Sequence, residues 1–418
     1  MTEKLYWARP DQTTFEASGV ALSEHAGKPA LVLKQTLFYP EGGGQLGDSG
    51  VLTVGGLTLQ VTDTQIDDAG IIHHVLDRPL SPDETRAALV ADAAVHGTID
   101  AARRRDHTAQ HTAQHALSRA LADAARAETV SARLGATSCT IDLARPGIPD
   151  AQLHRAEDVV NDLIASNVEV RAFYPSRDEI AALPLRKQPK VLEGSVIRII
   201  DIDGFDMTPC GGTHCSRSGQ IGQVRIVALE KYKGMLRITF HAGLRALTDA
   251  RAKHDALAAI AAELTCGLPE VPGAITKLRA EVKASRAALD AARADLAELV
   301  ANGELARLPL PAVESGPIVL VLLRATDDVG ALRLLAGKLA ADPRVVALTG
   351  ALDPASGELI FVVQRGPAGR LDCGAFIQAQ GKALGGRGGG RPERAEGRFP
   401  KGTKLEDLAA AARAAIGS

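Results

Sequence analysis

Apolar residues in the first 95 positions occur in short runs with partial alternation, such as 31–34, 50–54, 57–62 and 70–75. Glycine, aspartate and proline separate these runs. Short alternating runs bounded by turn residues are typical of β-strands. The pattern therefore predicts a small β-barrel or sandwich over residues 1–95.

The next 150 residues mix helical and strand patterns. A helix is predicted over 98–126, with Asp100 as its N-cap, and a second helix over 150–166. Strand-like segments follow each helix and continue to residue 241. The predicted strands are 129–135, 139–143, 168–174, 196–202, 221–227 and 235–241.

Apolar residues over 275–300 recur at alternating spacings of three and four, which is the heptad pattern of a coiled coil. A single packed amphipathic helix is the alternative. From residue 316 the chain alternates between strand and helix patterns, as in a small α/β domain. The heptad positions are Ile275, Leu278, Val282, Ser285, Leu289, Ala292, Leu296 and Leu299.

These patterns predict an α+β protein of four parts. They are a β-barrel-like domain (1–95), an α+β domain (96–245), a helical coiled-coil arm (246–305) and a small α/β domain (306–418).

Composition narrows the class of protein only slightly. The formal net charge of −2 gives no overall basic signature, so any contact with nucleic acid must come from local patches. The five cysteines are an odd number without small-scaffold spacing, which favours a reducing compartment. No run approaches the roughly 18 apolar residues of a membrane span. We expect a soluble, cytoplasmic protein.

Two short motifs carry candidate metal chemistry. His111 and His115 are four residues apart, so on a helix both imidazoles lie on one face. Cys210 and His214 enclose a Gly-Gly-Thr loop that can present both side chains together. Either pair alone occurs by chance, but two histidines plus a cysteine and a histidine make a set that suits tetrahedral Zn²⁺. His107 stands four residues before His111 and leaves the register open.

Other residues are candidates for a binding site. Gly42, Gly43 and Gly44 precede Gln45, and three consecutive glycines indicate positive φ or a close backbone approach, with a hairpin turn as the alternative. Thr129 and Ser131 are two residues apart, so on a regular strand they share a face.

Three further predictions concern a pair of adjacent histidines, the cysteine after His214, and a glycine-rich run near the C-terminus. His73 and His74 are neighbours, so one is expected in the core and one in solvent. Cys215 follows His214 and is a weaker candidate ligand than Cys210. The glycine-rich run 385–397, with Arg387 and Arg391, predicts flexible backbone able to wrap an anionic chain, with a disordered linker as the alternative.

Residues 106–118 and 210–222 resemble the paired signatures of the alanyl-tRNA editing domain. That domain occurs in alanyl-tRNA synthetase, in threonyl-tRNA synthetase and as free-standing proteins. The resemblance favours the His111/His115 register and implies one Zn²⁺ per chain. It also implies that Gln45 and the glycines help to form the pocket for the acyl end, and that Thr129 contacts a serine side chain.

The glycine-rich run near the C-terminus resembles the domain that alanyl-tRNA synthetases share with DHH-family phosphoesterases. This resemblance implies tRNA(Ala) binding, for which Arg387 and Arg391 are the candidates, and homodimerisation through the coil. The Asp-His-His motifs of those phosphoesterases are missing from the sequence, which argues against a zinc-independent phosphoesterase.

Since class II synthetase motifs are also missing, the sequence predicts a free-standing, ATP-independent hydrolase. Its expected substrate is seryl-tRNA(Ala), with glycyl-tRNA(Ala) as a further candidate, while alanyl-tRNA(Ala) is spared. Four protein ligands leave no open position on zinc, so the metal is expected to orient the substrate or stabilise the fold. Water activation by a nearby polar group such as Gln45 is one hypothesis. The alternative is a non-catalytic tRNA-binding module with structural zinc.

Overall fold

The computed structural model describes residues 2–90, 94–189, 196–308, 317–324 and 328–417. The chain is a mixed α+β protein that divides into two compact units, Met1–Ala259 and Ile260–Ser418. Within the described ranges, every helix is too short or too polar to cross a membrane.

The first unit begins with strands and one short helix and continues with the long helix α3. In chain order its first elements are β1 (Glu3–Lys4), α1 (Leu5–Ala8), β2 (Thr14–Ala17), β3 (Ala21–His25), β4 (Lys28–Val32), β5 (Gln35–Thr36), β6 (Gly50–Val54), β7 (Leu57–Ile66), β8 (Ile72–Leu76), α2 (Pro82–Ala88), β9 (Val95–Ile99) and α3 (Ala101–Ala125).

The rest of this unit contains both helices and strands, and its last helix, α6, crosses the boundary between the units. They are β10 (Thr129–Leu134), β11 (Cys139–Leu143), α4 (Asp150–Ala165), β12 (Val170–Phe173), α5 (Arg177–Ala182), β13 (Ile199–Ile202), β14 (Asp206–Pro209), β15 (Val224–Tyr232), β16 (Met235–Ala242) and α6 (Gly243–Glu263).

The N-terminal strands form a seven-stranded sheet in the order β2-β9-β6-β7-β8-β4-β3. Within the described residues the pairing does not close this sheet into a barrel. Closure would need hydrogen bonds between β2 and β3, which instead lie at opposite edges. The prediction of β-structure is confirmed, whereas barrel closure is not.

The expectation that His73 or His74 lies in solvent is wrong, because every residue of β8 is buried. Strand β8 pairs with β7 along one edge and with β4 along the other, so it is an interior strand of the sheet. His73 contacts Asp67 and Ser23, each at 3.1 Å. His74 donates from Nδ1 to the Leu31 carbonyl at 2.9 Å, and its Nε2 lies 2.8 Å from the Thr36 hydroxyl. Burial lowers the pKa of His74 to about 4.

We expect this buried histidine to make the first unit less stable in acid. The folded-state pKa of His74 lies below the unfolded value of about 6.5. The unfolded chain therefore binds more protons between pH 6.5 and 4, and stability is lost as the pH falls through that window. The shift corresponds to about 3 kcal/mol of unfolding free energy.

The measurement is urea unfolding at several pH values, followed by the fluorescence of the single tryptophan, Trp7. The variant His74→Gln should lose less stability than the wild type on acidification. His96→Gln, at an exposed histidine on β9 of the same sheet, is the matched control and should behave like the wild type. An unchanged acid slope in His74→Gln would contradict the prediction.

Helix α3 packs with α4 on one face of a four-stranded sheet of order β10-β11-β16-β15. Apolar side chains from both helices and the sheet form the largest core of the unit, including Leu117, Leu121, Ile141 and Phe240. Strands β12, β13 and β14 form a separate antiparallel sheet beside it. The strand predicted to start at Val196 begins at Ile199.

The second unit contains one long helix followed by a five-stranded sheet of order β17-β18-β19-β21-β20. Only β17 and β18 are parallel. Alternate residues of β18 and β19 enter two cores on opposite faces of the sheet. Its elements are α7 (Val271–Leu305), β17 (Ile318–Arg324), α8 (Val329–Leu339), β18 (Val345–Leu352), β19 (Leu359–Arg365), α9 (Cys373–Leu384), β20 (Arg387–Gly390), β21 (Arg394–Phe399) and α10 (Leu405–Gly417).

The flexible backbone predicted over 385–397 is wrong, because these residues form the antiparallel pair β20 and β21. The glycines allow close packing rather than flexibility. A Cβ on Gly388 would collide with the backbone of β21 and with Ile377 of α9, and a Cβ on Gly390 would collide with Ala395. Arg387 and Arg391 remain exposed on this hairpin.

Candidate metal centre

Helix α3 presents His111 and His115 from one buried face. Asp100 caps the helix as predicted, because its Oδ1 accepts hydrogen bonds of 3.0 Å from the backbone amides of Ala102 and Arg103. The helix ends at Ala125, and the next residue, Arg126, has a φ of +48° in the left-handed region. The two histidines lie one turn apart with ring centroids separated by 5.2 Å.

The loop that carries Cys210 and His214 follows directly after β14. Arg198 fixes this loop, because its Nη1 donates to the carbonyls of Cys210 at 3.0 Å and Gly212 at 2.9 Å. A side chain at Gly212 would collide with the His111 ring. Glycine at this position therefore lets the loop lie against the helix.

The structure brings His111, His115, Cys210 and His214 together. One ligand atom from each residue lies within 4.8 Å of the other three. The Cys210 sulfur is 3.4 Å from His111 Nε2 and 3.3 Å from His214 Nε2. A tetrahedral zinc ion with ordinary bond lengths separates sulfur and nitrogen ligands by about 3.5 Å. The donor set and its spacing thus fit a single metal ion.

The second ring nitrogen of each histidine faces a different polar partner. His111 Nδ1 lies 2.7 Å from Gln45 Oε1, His115 Nδ1 lies 3.4 Å from Asp206 Oδ2, and His214 Nδ1 lies 3.2 Å from Thr112 Oγ1. Partners on Nδ1 leave Nε2 for a metal and fix the ring orientation.

The electrostatics also suit metal ligation. Burial would raise the pKa of the Cys210 thiol, but its interactions with His111 and His214 hold that pKa well below its usual range. Burial and His111 lower the pKa of His214 to about 3. Burial would likewise lower the pKa of His115, but Asp206 and Cys210 raise it to about 9, so His115 must release a proton when it binds a metal. A thiolate beside a neutral imidazole is a good donor pair for zinc.

The two other candidate metal ligands in the sequence lie outside the cluster. His107 is buried on α3, and its Nδ1 has no hydrogen-bond partner. Cys215 packs into the apolar core, where burial raises the pKa of its thiol to about 11. An inert, protonated thiol is a poor metal ligand.

Gln45 lies behind the His111 ring and is completely buried. Its Nε2 donates to Thr213 Oγ1 at 2.7 Å, and its Oε1 accepts from the Thr213 amide at 3.1 Å. The glycines before Gln45 form a tight turn, which was the alternative interpretation of the sequence. In this turn the backbone amides of Gly42 and Gln45 each donate to the other residue's carbonyl at 3.0 Å. Gly43 and Gly44 have positive φ, and the Gly44 carbonyl accepts from the Leu134 amide of β10.

The prediction that Thr129 and Ser131 share a strand face is wrong. A β-bulge between them shifts the register, so that Thr129 pairs with Leu143 and Ser131 with Asp142. Thr129 therefore faces α3, where its hydroxyl donates to Ser118 Oγ at 2.8 Å. Ser131 lies on the opposite face and donates to Asp142 at 2.7 Å.

Sequence reasoning missed the residues that orient the ligands, chiefly Asp206, Thr112 and Arg198. Asp206 also pairs with Arg186, whose Nε lies 2.6 Å from Asp206 Oδ1. Asp206 precedes Cys210 by four residues and lies on the strand that leads directly into the ligand loop. That spacing was a usable signal for Asp206. Thr112 and Arg198 have no comparable signal in sequence.

Two family models match parts of the chain. Residues 11–103 match tRNA synthetases class II (A), and residues 197–239 match the threonyl and alanyl tRNA synthetase second additional domain. The second match covers Cys210 and His214. The segment that carries Cys210 and His214 is therefore similar to a domain of threonyl- and alanyl-tRNA synthetases.

Curated relatives extend the similarity over the rest of the chain. Alanine–tRNA ligases of Natronomonas pharaonis and Haloquadratum walsbyi are 31% and 32% identical over 98% and 97% of this chain. That of Halobacterium salinarum is 31% identical over 100%. The chain spans 43–44% of the length of these relatives. Similarity to alanine–tRNA ligases thus extends over nearly the whole length of this chain.

Among solved structures, the C-Ala domain of Aquifex aeolicus alanyl-tRNA synthetase matches 27% of this chain and 100% of its own, with 19% identity and a TM-score of 0.22.

Proposed function

We propose that this chain hydrolyses the ester of seryl-tRNA(Ala), with glycyl-tRNA(Ala) as a further candidate substrate, and spares alanyl-tRNA(Ala). The observation that carries the proposal is the buried His₃Cys cluster within alanyl-tRNA synthetase-family domains. A pocket for alanine rejects serine or glycine poorly, because a single hydroxyl or methyl group gives limited discrimination. A second hydrolytic site can then remove the wrong product.

We assign one zinc ion per chain to His111, His115, Cys210 and His214. When bound, zinc would fix the positions of these four side chains and supply a positive charge near the ester end of the substrate. We assign Gln45 the role of orienting His111, since both ends of its amide already have partners at the centre. Gly42, Gly43 and Gly44 are assigned to the wall of the acyl pocket, because their turn joins β10, the strand that carries Thr129.

Thr129 is proposed to recognise the serine hydroxyl. Its own hydroxyl proton points to Ser118, which also accepts from Gln114 Nε2 at 2.8 Å. Lone pairs on the Thr129 oxygen are thereby left to accept from a substrate hydroxyl. Ser118 follows His115 by three residues and so shares its side of α3. Alanine has no hydroxyl to donate, which gives the discrimination its physical basis.

The direct test is deacylation of seryl-, glycyl- and alanyl-tRNA(Ala) by the purified chain, before and after removal of metal by a chelator. We expect hydrolysis of the seryl ester, little hydrolysis of the alanyl ester, and recovery of activity when zinc is restored. Hydrolysis that is equally fast after complete removal of metal would refute the assignment of the site.

A non-catalytic tRNA-binding module is the second candidate function. The four protein donors favour it, because a fully coordinated zinc often only stabilises a fold. Retained tRNA binding without hydrolysis in the same experiment would select this alternative.

Replacing Thr129 with valine keeps the shape of the side chain but removes its hydroxyl. We expect seryl-tRNA(Ala) deacylation to fall by about 10- to 100-fold, while the slow reaction with alanyl-tRNA(Ala) changes little. Single-turnover kinetics with both substrates measure the difference. Ser131→Ala, on the opposite face of the sheet, is the matched control and should retain wild-type rates. Equal rates in Thr129→Val and Ser131→Ala would remove Thr129 from the pocket.

We also propose that the chain binds tRNA(Ala) through the exposed Arg387 and Arg391, and that α7 pairs with α7 of a second copy. The predicted heptad residues Ile275, Leu278, Val282 and Leu289 are all exposed in the chain. An exposed apolar stripe at heptad spacing is the surface that a coiled coil buries.

Placing a charge on this stripe should therefore dissociate the dimer. We expect Leu278→Glu/Leu289→Glu to sediment as a monomer at concentrations where the wild type is a dimer. Ala287→Glu, at an outward heptad position of the same helix, is the control and should remain a dimer. Identical sedimentation of the two variants would exclude pairing through α7.

A further inference from the structure

An open cleft of about 490 Å³ lies beside the candidate metal centre. Its walls include Trp7, Lys187, Arg198 and the Cys210–Gly211 backbone. A cleft of this volume is within the range of roughly 300–1,000 Å³ that holds small ligands. The residues described along its walls include basic side chains and no aspartate or glutamate. The cleft therefore suits an anionic ligand.

Trp7 is held in a fixed position next to the ligand loop. Its Nε1 donates to the Gly211 carbonyl at 2.8 Å, one residue from Cys210. Tyr6 meets the ring edge-on, with centroids 5.7 Å apart. Lys4 Nζ lies 4.6 Å from the ring centroid. Trp7 is only partly buried, so the cleft contains a preorganised indole surface.

Arg198 adds a buried positive charge to the same cleft. Its Nη1 donates to the carbonyls of the ligand loop, whereas its Nε has no hydrogen-bond partner among the described residues. Keeping a cation in a buried position is costly. A bound anion would offset that cost, and Lys187 would add a second charge.

We propose that this cleft holds the 3′-terminal single-stranded nucleotides of tRNA, with a base against Trp7 and a backbone phosphate near Lys187 and Arg198. Unpaired bases stack on aromatic side chains, and the phosphates follow basic ones. Bound in this way, the terminal ribose lies toward Cys210 and the metal centre. The inference rests on the proposed function, because it requires a tRNA end as the substrate.

The experiment uses the oligonucleotide ACCA without an amino acid, so that binding is measured apart from hydrolysis. Trp7 is the single tryptophan of the sequence, so its fluorescence reports directly on the cleft. We expect saturable quenching by ACCA in the zinc-loaded protein. Anisotropy of 5′-fluorescein-ACCA should show binding weakened about tenfold or more in Trp7→Leu, and partly retained in Trp7→Phe.

The controls separate local from general effects. Tyr232→Leu removes another cation-stacked ring, on the β15–β16 hairpin, and should bind ACCA like the wild type. Zinc content must be unchanged in each variant, which excludes misfolding. ACCA binding of wild-type strength in Trp7→Leu would overturn the inference even if seryl-tRNA(Ala) is hydrolysed. Trp7-dependent binding without any hydrolysis would instead reject the proposed function and keep the cleft as a nucleotide site.

Discussion

Replacing His115 with alanine is expected to remove bound zinc and to lower seryl-tRNA(Ala) deacylation by about a hundredfold or more. His115 is buried beside His111, Cys210 and His214, and among the described residues no further histidine or cysteine lies in the cluster to replace it. The loss also leaves Asp206 without its histidine partner, although Arg186 still pairs with that carboxylate.

Zinc content by atomic absorption and single-turnover deacylation are the two measurements. His107→Gln is the matched control, because His107 is buried on the same helix two turns earlier but lies outside the cluster. It should keep both zinc and activity. A His115→Ala protein that retained both would show that the site has been assigned to the wrong residues, and loss in His107→Gln alone would select the other register.

The parts of the site that sequence could predict are those set by local chemistry. The four-residue spacing of His111 and His115 and the Asp100 cap depend only on helix geometry, and both hold in the structure. The long helix α7 and the strand–helix alternation after residue 316 follow from periodicity in the same way. Local patterns are reliable where neighbouring residues determine the outcome.

The errors arose where distant strands determine the outcome. The bulge that separates Thr129 from Ser131 depends on how β10 pairs with β11, and no residue of β10 predicts it by its type. Both His73 and His74 are buried because β8 is a central strand covered on both faces, which is a property of the whole sheet. The glycines of β20 indicated flexibility, yet their absent side chains make room for α9 and β21.

Replacing Asp48 with alanine is expected to destabilise the first unit by about 3–5 kcal/mol, because it would leave a buried charge without its partner. Asp48 and Arg104 are 1% and 4% exposed and form a paired ion contact. Asp48 also accepts from the Tyr39 amide at 2.7 Å, and Arg104 donates to the Leu37 carbonyl at 2.6 Å. The pair joins the segment after the glycine turn to the start of α3.

Urea unfolding followed by Trp7 fluorescence measures the effect within the unit that contains the pair. The control is Asp123→Ala, which breaks the exposed Arg119–Asp123 pair on the same helix and should change stability much less. Equal effects of the two variants would show that burial does not set the cost. The double variant Asp48→Leu/Arg104→Leu should be more stable than Asp48→Ala, since it removes the unpaired guanidinium as well. Higher stability of the double variant would show that Asp48→Ala is destabilised by the uncompensated charge of Arg104. If lost packing were the cause, the double variant would be less stable still.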